Sequence, residues 1–302
     1  MHPLPRPRLD AATVFGVCSN AAKLKKDKKA LEGHSQTVVD AVAAYEAAAA
    51  SRALHTLQHL VHEPGGAPDL TGMPPKPKTA AINVALINGY TNRMAKKGSA
   101  GHTFYLELQK SGPDGQCALC GCRYADTLDH QLPKTLYPLL AVAPSNLAPA
   151  CSGCNKSKLD LNPVDASQQT LNPYFDHEAD QHTWLTARIT PLPQGNDTPF
   201  DITFHAEPPP DMPPVLAARA KFHIDQLHLA EVYASNAASR VRTESRLIRD
   251  LALVDPDDIR EHLAYNAKNW TTEQRNGWEA ALYTALANDD WYVNGGYLVV
   301  AG

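Results

Sequence analysis

The sequence predicts a mainly helical α+β protein in which helical regions lie on both sides of a short, irregular central segment. Apolar residues recur at helical spacing over residues 21–62, 80–94 and 215–287. In contrast, residues 111–161 contain many Gly, Cys, Pro and Asn residues between short apolar runs. Such punctuation is typical of turns and loops. We therefore expect the helices to surround a small, loop-rich centre.

The predicted elements follow one another in a clear order. A run rich in proline and glycine, residues 63–78, predicts an irregular connection after the first helical stretch. Residues 183–190 and 200–206 have the composition of two strands around a turn and predict a β-hairpin. In the last helical region, Thr271 and Gln274 have the spacing of a capping box, which predicts that a helix starts there.

Composition limits the class of protein. Hydrophobic residues make up 43% of the 302 residues and charged residues 20%, which excludes disordered, collagen-like and coiled-coil proteins. No apolar run approaches the roughly 18 residues of a membrane-spanning helix. Residues 1–10 lack the apolar stretch of a secretory signal. We therefore expect a cytoplasmic protein that does not contact a membrane.

The charge pattern allows local contacts with nucleic acid. The formal net charge of −4 argues against a protein that coats nucleic acid through bulk positive charge. The basic run KLKKDKK, residues 23–29, is interpreted as the solvated face of a helix. Further basic residues occur in the central segment, whereas acidic residues concentrate in the C-terminal third.

Cysteine spacing predicts a metal site in the central segment. Four of the six cysteines form two C-x-x-C pairs, Cys117 with Cys120 and Cys151 with Cys154. In a long cytosolic chain this spacing favours a metal site or a redox motif over a disulfide framework. Four thiolates can enclose one Zn²⁺ at about 2.3 Å each, which leaves no position for water and makes the zinc structural. Cys122 is too close to Cys120 to join them easily, and Cys18 is interpreted as a small buried residue.

The residues between and after these pairs resemble those of the HNH endonuclease family, also called the ββα-metal or His-Me finger family. The chain carries a D-H pair, a nearby proline, an N-L pair and C-x-x-C-N-x-x-K, which are Asp129, His130, Pro133, Asn146, Leu147, Cys151, Cys154, Asn155 and Lys158. The resemblance covers residues 117–158. A looser resemblance continues as far as residue 176, and there the chain is similar to a bacterial subgroup of the family that is found in mobile-element and defence loci.

This resemblance implies a fold and an activity. It places a zinc-stapled β-hairpin and helix, with the active site between them, in residues 79–176. A helical region and linker, 1–78, would precede this module, and a hairpin with a helical region, 177–302, would follow it. The implied activity is metal-dependent hydrolysis of DNA, with a role in anti-phage defence.

The resemblance also assigns roles to four side chains. His130 would be the general base, because its ordinary pKa near 6.5 suits proton transfer at neutral pH. Asp129, on the opposite face of an extended strand, would be the first ligand of a catalytic cation. Asn155 would be the second ligand if a helix begins near Ser152. Asn146 would brace the hairpin and orient His130. Lysines in the same segment would hold backbone phosphates, namely Lys134, Lys156 and Lys158.

The chain departs from the family at the third position of the motif. Many members carry a histidine where this chain has Asn155, which makes it an H-N-N variant. Carboxylate and amide oxygens suit Mg²⁺ or Mn²⁺ better than Zn²⁺ or Ni²⁺. An alternative role for Asn155 is to cap a helix. The loop of residues 131–145 also lacks the common Gly-Gly pair.

Two other functions stay open at this point. One alternative is a nuclease effector that needs a partner, typically an ATPase of a defence system; the negative net charge agrees with weak affinity for free DNA. The other alternative is a non-catalytic zinc-binding adaptor. Three histidines fall on one face of the predicted helix, namely His55, His59 and His62. They could bind a metal, but the spacing equally fits an ordinary polar stripe.

Overall fold

The computed structural model describes residues 1–61, 81–193 and 198–301, and these are mainly helical with two small sheets. The chain forms two compact units, His2–His177 and Glu178–Gly302. The predicted regions 1–78 and 79–176 therefore fall within one unit. No helix among the described residues is long and apolar enough to cross a membrane.

Among its described residues, the first unit has five α-helices ahead of its sheet. They are α1 (Ala11–Asn20), α2 (Lys25–Glu32), α3 (Ser35–Ala50), α4 (Ala81–Arg93) and α5 (His102–Gln109). The helical stretch predicted for residues 21–62 is divided, because α2 ends at Gly33 and a 3₁₀ segment, Leu54–Leu60, follows α3. Helices α1 and α5 were not predicted. The predicted connection 63–78 and His62 lie outside the described residues.

Two strands and a short helix follow in the central segment. Strand β1 (Thr127–His130) pairs antiparallel with β2 (Leu147–Ala150), and helix α6 (Ser152–Lys158) begins directly after β2. The loop between the strands is tied to α3, because the Tyr45 hydroxyl donates to the backbone oxygen of Ser145 at 3.2 Å. Helices α1, α3 and α4 share one hydrophobic core with this loop.

The described residues of the second unit form the other sheet and five α-helices. Strands β3 (Leu185–Pro191) and β4 (Phe200–Ala206) pair antiparallel, which confirms the predicted hairpin. The helices are α7 (Pro214–Gln226), α8 (Leu229–Asp250), α9 (Pro256–Glu273), α10 (Trp278–Asn288) and α11 (Tyr297–Ala301).

The predicted capping box at Thr271 is wrong. Helix α9 continues through Thr271, whose hydroxyl donates to the backbone oxygen of Ala267 at 2.8 Å, one turn earlier. The next helix, α10, has Gly277 at its N-cap. Threonine can satisfy its hydroxyl inside a helix in this way, so the spacing alone did not locate a helix start.

Candidate functional site

The four predicted zinc ligands form one buried cluster. The sulfur atoms of Cys117, Cys120, Cys151 and Cys154 all lie within 4.8 Å of one another. In a tetrahedral zinc site with Zn–S bonds of about 2.3 Å, neighbouring sulfurs are about 3.8 Å apart. The Cys120 and Cys151 sulfurs, at 4.0 Å, are close to that spacing. The cluster can therefore hold a metal such as zinc, whereas Cys122 lies outside it.

Backbone hydrogen bonds explain why the two cysteine pairs meet. In the first pair, the Cys117 amide donates to Arg123 at 2.7 Å, and Gly121 adopts a positive φ of 68° that closes the turn. The amide of Ala118 donates to Pro149 in β2 at 2.9 Å, which brings this turn against the second pair. Cys151 is the N-cap of α6, and its sulfur accepts from the amide of Cys154.

A second site lies beside the metal cluster, in a cleft of about 430 Å³. Asp129 and His130 line this cleft from the end of β1, and Asn155 and Lys156 line it from α6. Lys134 reaches it from the loop after β1. The structure thus brings five of the predicted site residues to one cavity, although they come from three different elements.

One ring nitrogen of His130 is held by a backbone hydrogen bond. Its Nε2 lies 2.8 Å from the backbone oxygen of Ala141, and because a carbonyl oxygen only accepts, Nε2 carries the proton. Nδ1 then has a free lone pair, and it makes no hydrogen bond to any described residue. Burial and the nearby charge of Lys134 lower the pKa of His130 to about 3. The ring is therefore neutral at pH 7, and its Nδ1 is unprotonated.

Asp129 is buried and paired with a buried lysine. Only 2% of Asp129 and 1% of Lys158 is exposed, and Oδ2 of Asp129 lies 2.9 Å from Nζ of Lys158. This contact has the length of an ion pair but not the geometry of a hydrogen bond. Burial raises the pKa of Asp129, and the charge of Lys158 opposes that shift. Lys158 also donates to the backbone oxygens of His130 and Gln131.

These contacts correct the role predicted for Lys158. A lysine that binds a backbone phosphate needs an ammonium group at the surface, whereas that of Lys158 is enclosed by three acceptors of β1 and the next residue. Lys158 instead fastens α6 to β1. Lys156, which is exposed, and Lys134, which is half-buried, keep their ammonium groups at the cleft.

We expect Lys158→Met to lower the free energy of unfolding by about 3 to 5 kcal/mol, because it leaves the buried Asp129 carboxylate without its partner. Urea denaturation would measure this. The double variant Lys158→Met, Asp129→Asn removes both charges and should recover much of the loss. If Lys158→Met lowers the free energy of unfolding by less than about 1 kcal/mol, the ion pair is not desolvated, because that value is typical of an exposed pair.

Asn146 braces the loop between β1 and β2. Its side-chain oxygen accepts from the amide of Leu132 at 2.8 Å, and its amide nitrogen donates to the backbone oxygens of Leu132 and Leu140 at 2.9 and 3.3 Å. Leu140 immediately precedes Ala141, the acceptor for His130. Asn146 therefore braces the loop that carries the acceptor of His130.

Asn155 lies in the first turn of α6, as expected for a helix that begins at Ser152. The alternative that Asn155 caps this helix does not hold, because Cys151 is the N-cap. The side chain of Asn155 lines the cleft and forms no hydrogen bond with a described residue. Its amide oxygen is thus available to a ligand in the cleft.

Two residues of the site were not predicted. Tyr90 of α4 packs edge-to-face on His130, with ring centroids 4.4 Å apart. The carboxylate of Asp126 accepts from the backbone amide of Ser152 at 2.6 Å and from its hydroxyl, and so anchors the start of α6. No sequence signal marks Tyr90, because α4 is far from β1 along the chain.

The other predicted metal hypothesis gains no support. Among the residues that the structure describes, the four cysteines are the only group of three or more His, Cys, Asp or Glu side chains close enough to hold one metal. His55 and His59 lie in the 3₁₀ segment, and His62 lies outside the described residues.

No protein-family model, curated protein or solved structure matches this chain.

Proposed function

We propose that the protein is an HNH-type endonuclease that hydrolyses phosphodiester bonds of DNA. The observation that carries this proposal is the free Nδ1 of a buried, neutral His130 in the same cleft as Asp129 and Asn155. The order of β1, β2 and α6, with a four-cysteine cluster at the base of the helix, agrees with the ββα-metal module that the motif implies.

The side chains of the cleft can divide the reaction between them. Nδ1 of His130 takes a proton from the attacking water, and the hydrogen bond from Nε2 to Ala141 keeps the ring in the tautomer that this step requires. Asn146 holds the loop that provides Ala141. Lys134 and Lys156 bind phosphates on either side of the bond that is cut, contacts that position the strand without reading its sequence.

The remaining donors fit a hard divalent cation. Asp129 offers the carboxylate oxygen that Lys158 does not contact, and Asn155 offers an unpartnered amide oxygen. Oxygen ligands of this kind suit Mg²⁺ or Mn²⁺. Such a cation would supply Lewis-acid stabilisation of the phosphate and of the departing 3′-oxygen.

Dependence on a partner is the second candidate, and the charge distribution favours it. Acidic residues outnumber Lys and Arg over residues 178–302, so this part of the chain would repel DNA rather than add to its binding. A partner such as an ATPase of a defence system would then bring the nuclease to its target. Activity of the purified protein on plasmid DNA separates this candidate from the first, and from a zinc-binding adaptor without activity.

A metal-exchange experiment tests the cation site. We expect plasmid nicking to stop after an EDTA treatment that removes free cations but is too mild to strip the zinc from the four thiolates. Nicking should return when Mg²⁺ or Mn²⁺ alone is added. Asp129→Ala should lose nearly all activity, because it removes the charged ligand. Asn155→His should shift the preference toward Mn²⁺, Co²⁺ or Ni²⁺, because it supplies a nitrogen ligand.

The matched control for this experiment is Asn155→Asp, which keeps an oxygen at the same place and should retain use of Mg²⁺. Equal Mg²⁺ affinity in the wild type, Asn155→Asp and Asn155→His would assign Asn155 to structure. Asp129 would then need a different second ligand.

A further inference from the structure

Tyr90 contacts two different parts of the cleft from outside the central segment. Its ring lies edge-to-face on His130, with an interplanar angle of 73° and centroids 4.4 Å apart. The ammonium of Lys134 lies over the same ring, 5.4 Å from its centroid. The Tyr90 hydroxyl donates to the backbone oxygen of Leu128 in β1 at 3.4 Å. One side chain thus touches the strand, the histidine and the lysine.

The contact with His130 limits how the imidazole can move. The hydrogen bond from Nε2 to Ala141 fixes one ring atom but leaves the ring free to tilt about that bond. An aromatic ring packed at 4.4 Å blocks this tilt on one side. The position of Nδ1 in the cleft therefore depends on both contacts.

The contact with Lys134 acts on substrate binding. Lysine is a flexible side chain that loses rotamer freedom when it binds a phosphate. The negative face of an aromatic ring attracts the ammonium and restricts where it can go. Lys134 is half-buried and forms no ion pair with a described acidic residue, although its charge also acts on Asp129. The Tyr90 ring is the aromatic face over which its ammonium lies.

We infer that Tyr90 is a positioning residue that holds His130 for proton transfer and Lys134 for phosphate binding. This inference rests on the proposed nuclease function. It also gives the N-terminal helices a role, because α4 packs in the same core as α1 and α3. The site then depends on helices outside residues 117–158, and not on the motif alone.

Single-turnover cleavage of plasmid DNA with Mg²⁺ separates the two effects. We expect Tyr90→Leu to lower the maximal rate by about ten- to a hundredfold, because His130 is no longer held in place. It should also raise the protein concentration for half-maximal rate by about two- to fivefold, the fold-change that corresponds to a lost cation–π contact. Lys134→Met should raise the half-maximal concentration, because it removes a phosphate contact. Tyr90→Phe keeps the ring and should stay within twofold of the wild type in both values.

Tyr105→Leu is the matched control. Tyr105 lies 6.4 Å from Tyr90, ring to ring, and contacts neither His130 nor Lys134 through its ring. Its loss should leave both values unchanged. If Tyr90→Leu, folded and zinc-loaded, cuts like the wild type, or if Tyr90→Phe fails as badly as Tyr90→Leu, Tyr90 does not position these groups.

A spectroscopic measurement covers the case in which Tyr90→Leu does not fold. Proton NMR of the wild type, with His130 assigned by comparison with His130→Ala, should show ring protons of His130 displaced by the ring current of Tyr90. The displacement should persist in Tyr90→Phe. Unshifted His130 protons in the folded wild type would overturn the inference. Because this measurement needs no substrate, it separates failure of the inference from failure of the proposed nuclease function.

Discussion

His130→Ala should reduce plasmid cleavage by about 10²- to 10⁴-fold, the contribution typical of a general base. The substitution removes Nδ1, the free acceptor of the buried ring, together with the hydrogen bond to Ala141. Binding of DNA should survive, because the phosphate contacts assigned to Lys134 and Lys156 are unchanged. Single-turnover rates at saturating protein would measure the chemical step separately from binding.

A second histidine provides the control for this experiment. His102 is half-buried in α5, where its ring stacks on Tyr105, and it does not line the cleft. His102→Ala should cut DNA like the wild type. Zinc content and melting temperature of both variants would show that the fold is kept. Wild-type cleavage by folded His130→Ala would exclude His130 as the base and, with it, the proposed mechanism.

Cys151→Ser should abolish tight zinc binding and unfold or strongly destabilise the first unit. A neutral hydroxyl is a poor replacement for a thiolate ligand. Structural zinc contributes about 10 to 16 kcal/mol in zinc-finger peptides at pH 7, whereas whole domains are stable by only about 5 to 15 kcal/mol. Loss of even a part of the free energy contributed by zinc is therefore comparable to the whole free energy of unfolding. Elemental analysis and thermal melting would measure the two effects.

The choice of serine and of position keeps this experiment specific. Cys151 is the N-cap of α6, and serine is among the best N-cap residues, so the substitution removes a metal ligand without removing the cap. Cys122→Ser is the control, because Cys122 is near the cluster but not part of it. If Cys151→Ser retains one zinc per chain and melts like Cys122→Ser, the four-cysteine site is wrong.

The sequence determined the local chemistry of the central segment. Two C-x-x-C pairs are a short-range signal, since the first lies in a tight turn and the second at the start of α6, and both arrangements direct the two sulfurs the same way. The predicted hairpin at β3 and β4 is likewise a local feature, because alternation of side chains along a strand is visible in a few residues. The start of α6 at Ser152 follows directly from the second cysteine pair.

Helix boundaries were less predictable, because they depend on which backbone groups find partners. Residues 21–62 have the composition of one long helix, but Gly33 ends α2 and the chain turns there. At Thr271, a spacing typical of a helix start lies inside α9. In both places the competing conformations differ by small local energies, and packing with other helices selects one of them.

Only the tertiary structure decided what surrounds the motif. The sequence predicted that Lys158 would hold a backbone phosphate, but folding buries its ammonium between Asp129 and two backbone carbonyls. It also places Tyr90 against His130 and Asp126 at the start of α6. A motif specifies residue types at short spacing. Burial and contacts between distant elements arise only when the chain forms its core. Burial and these contacts determine the charge and orientation of each side chain in the cleft.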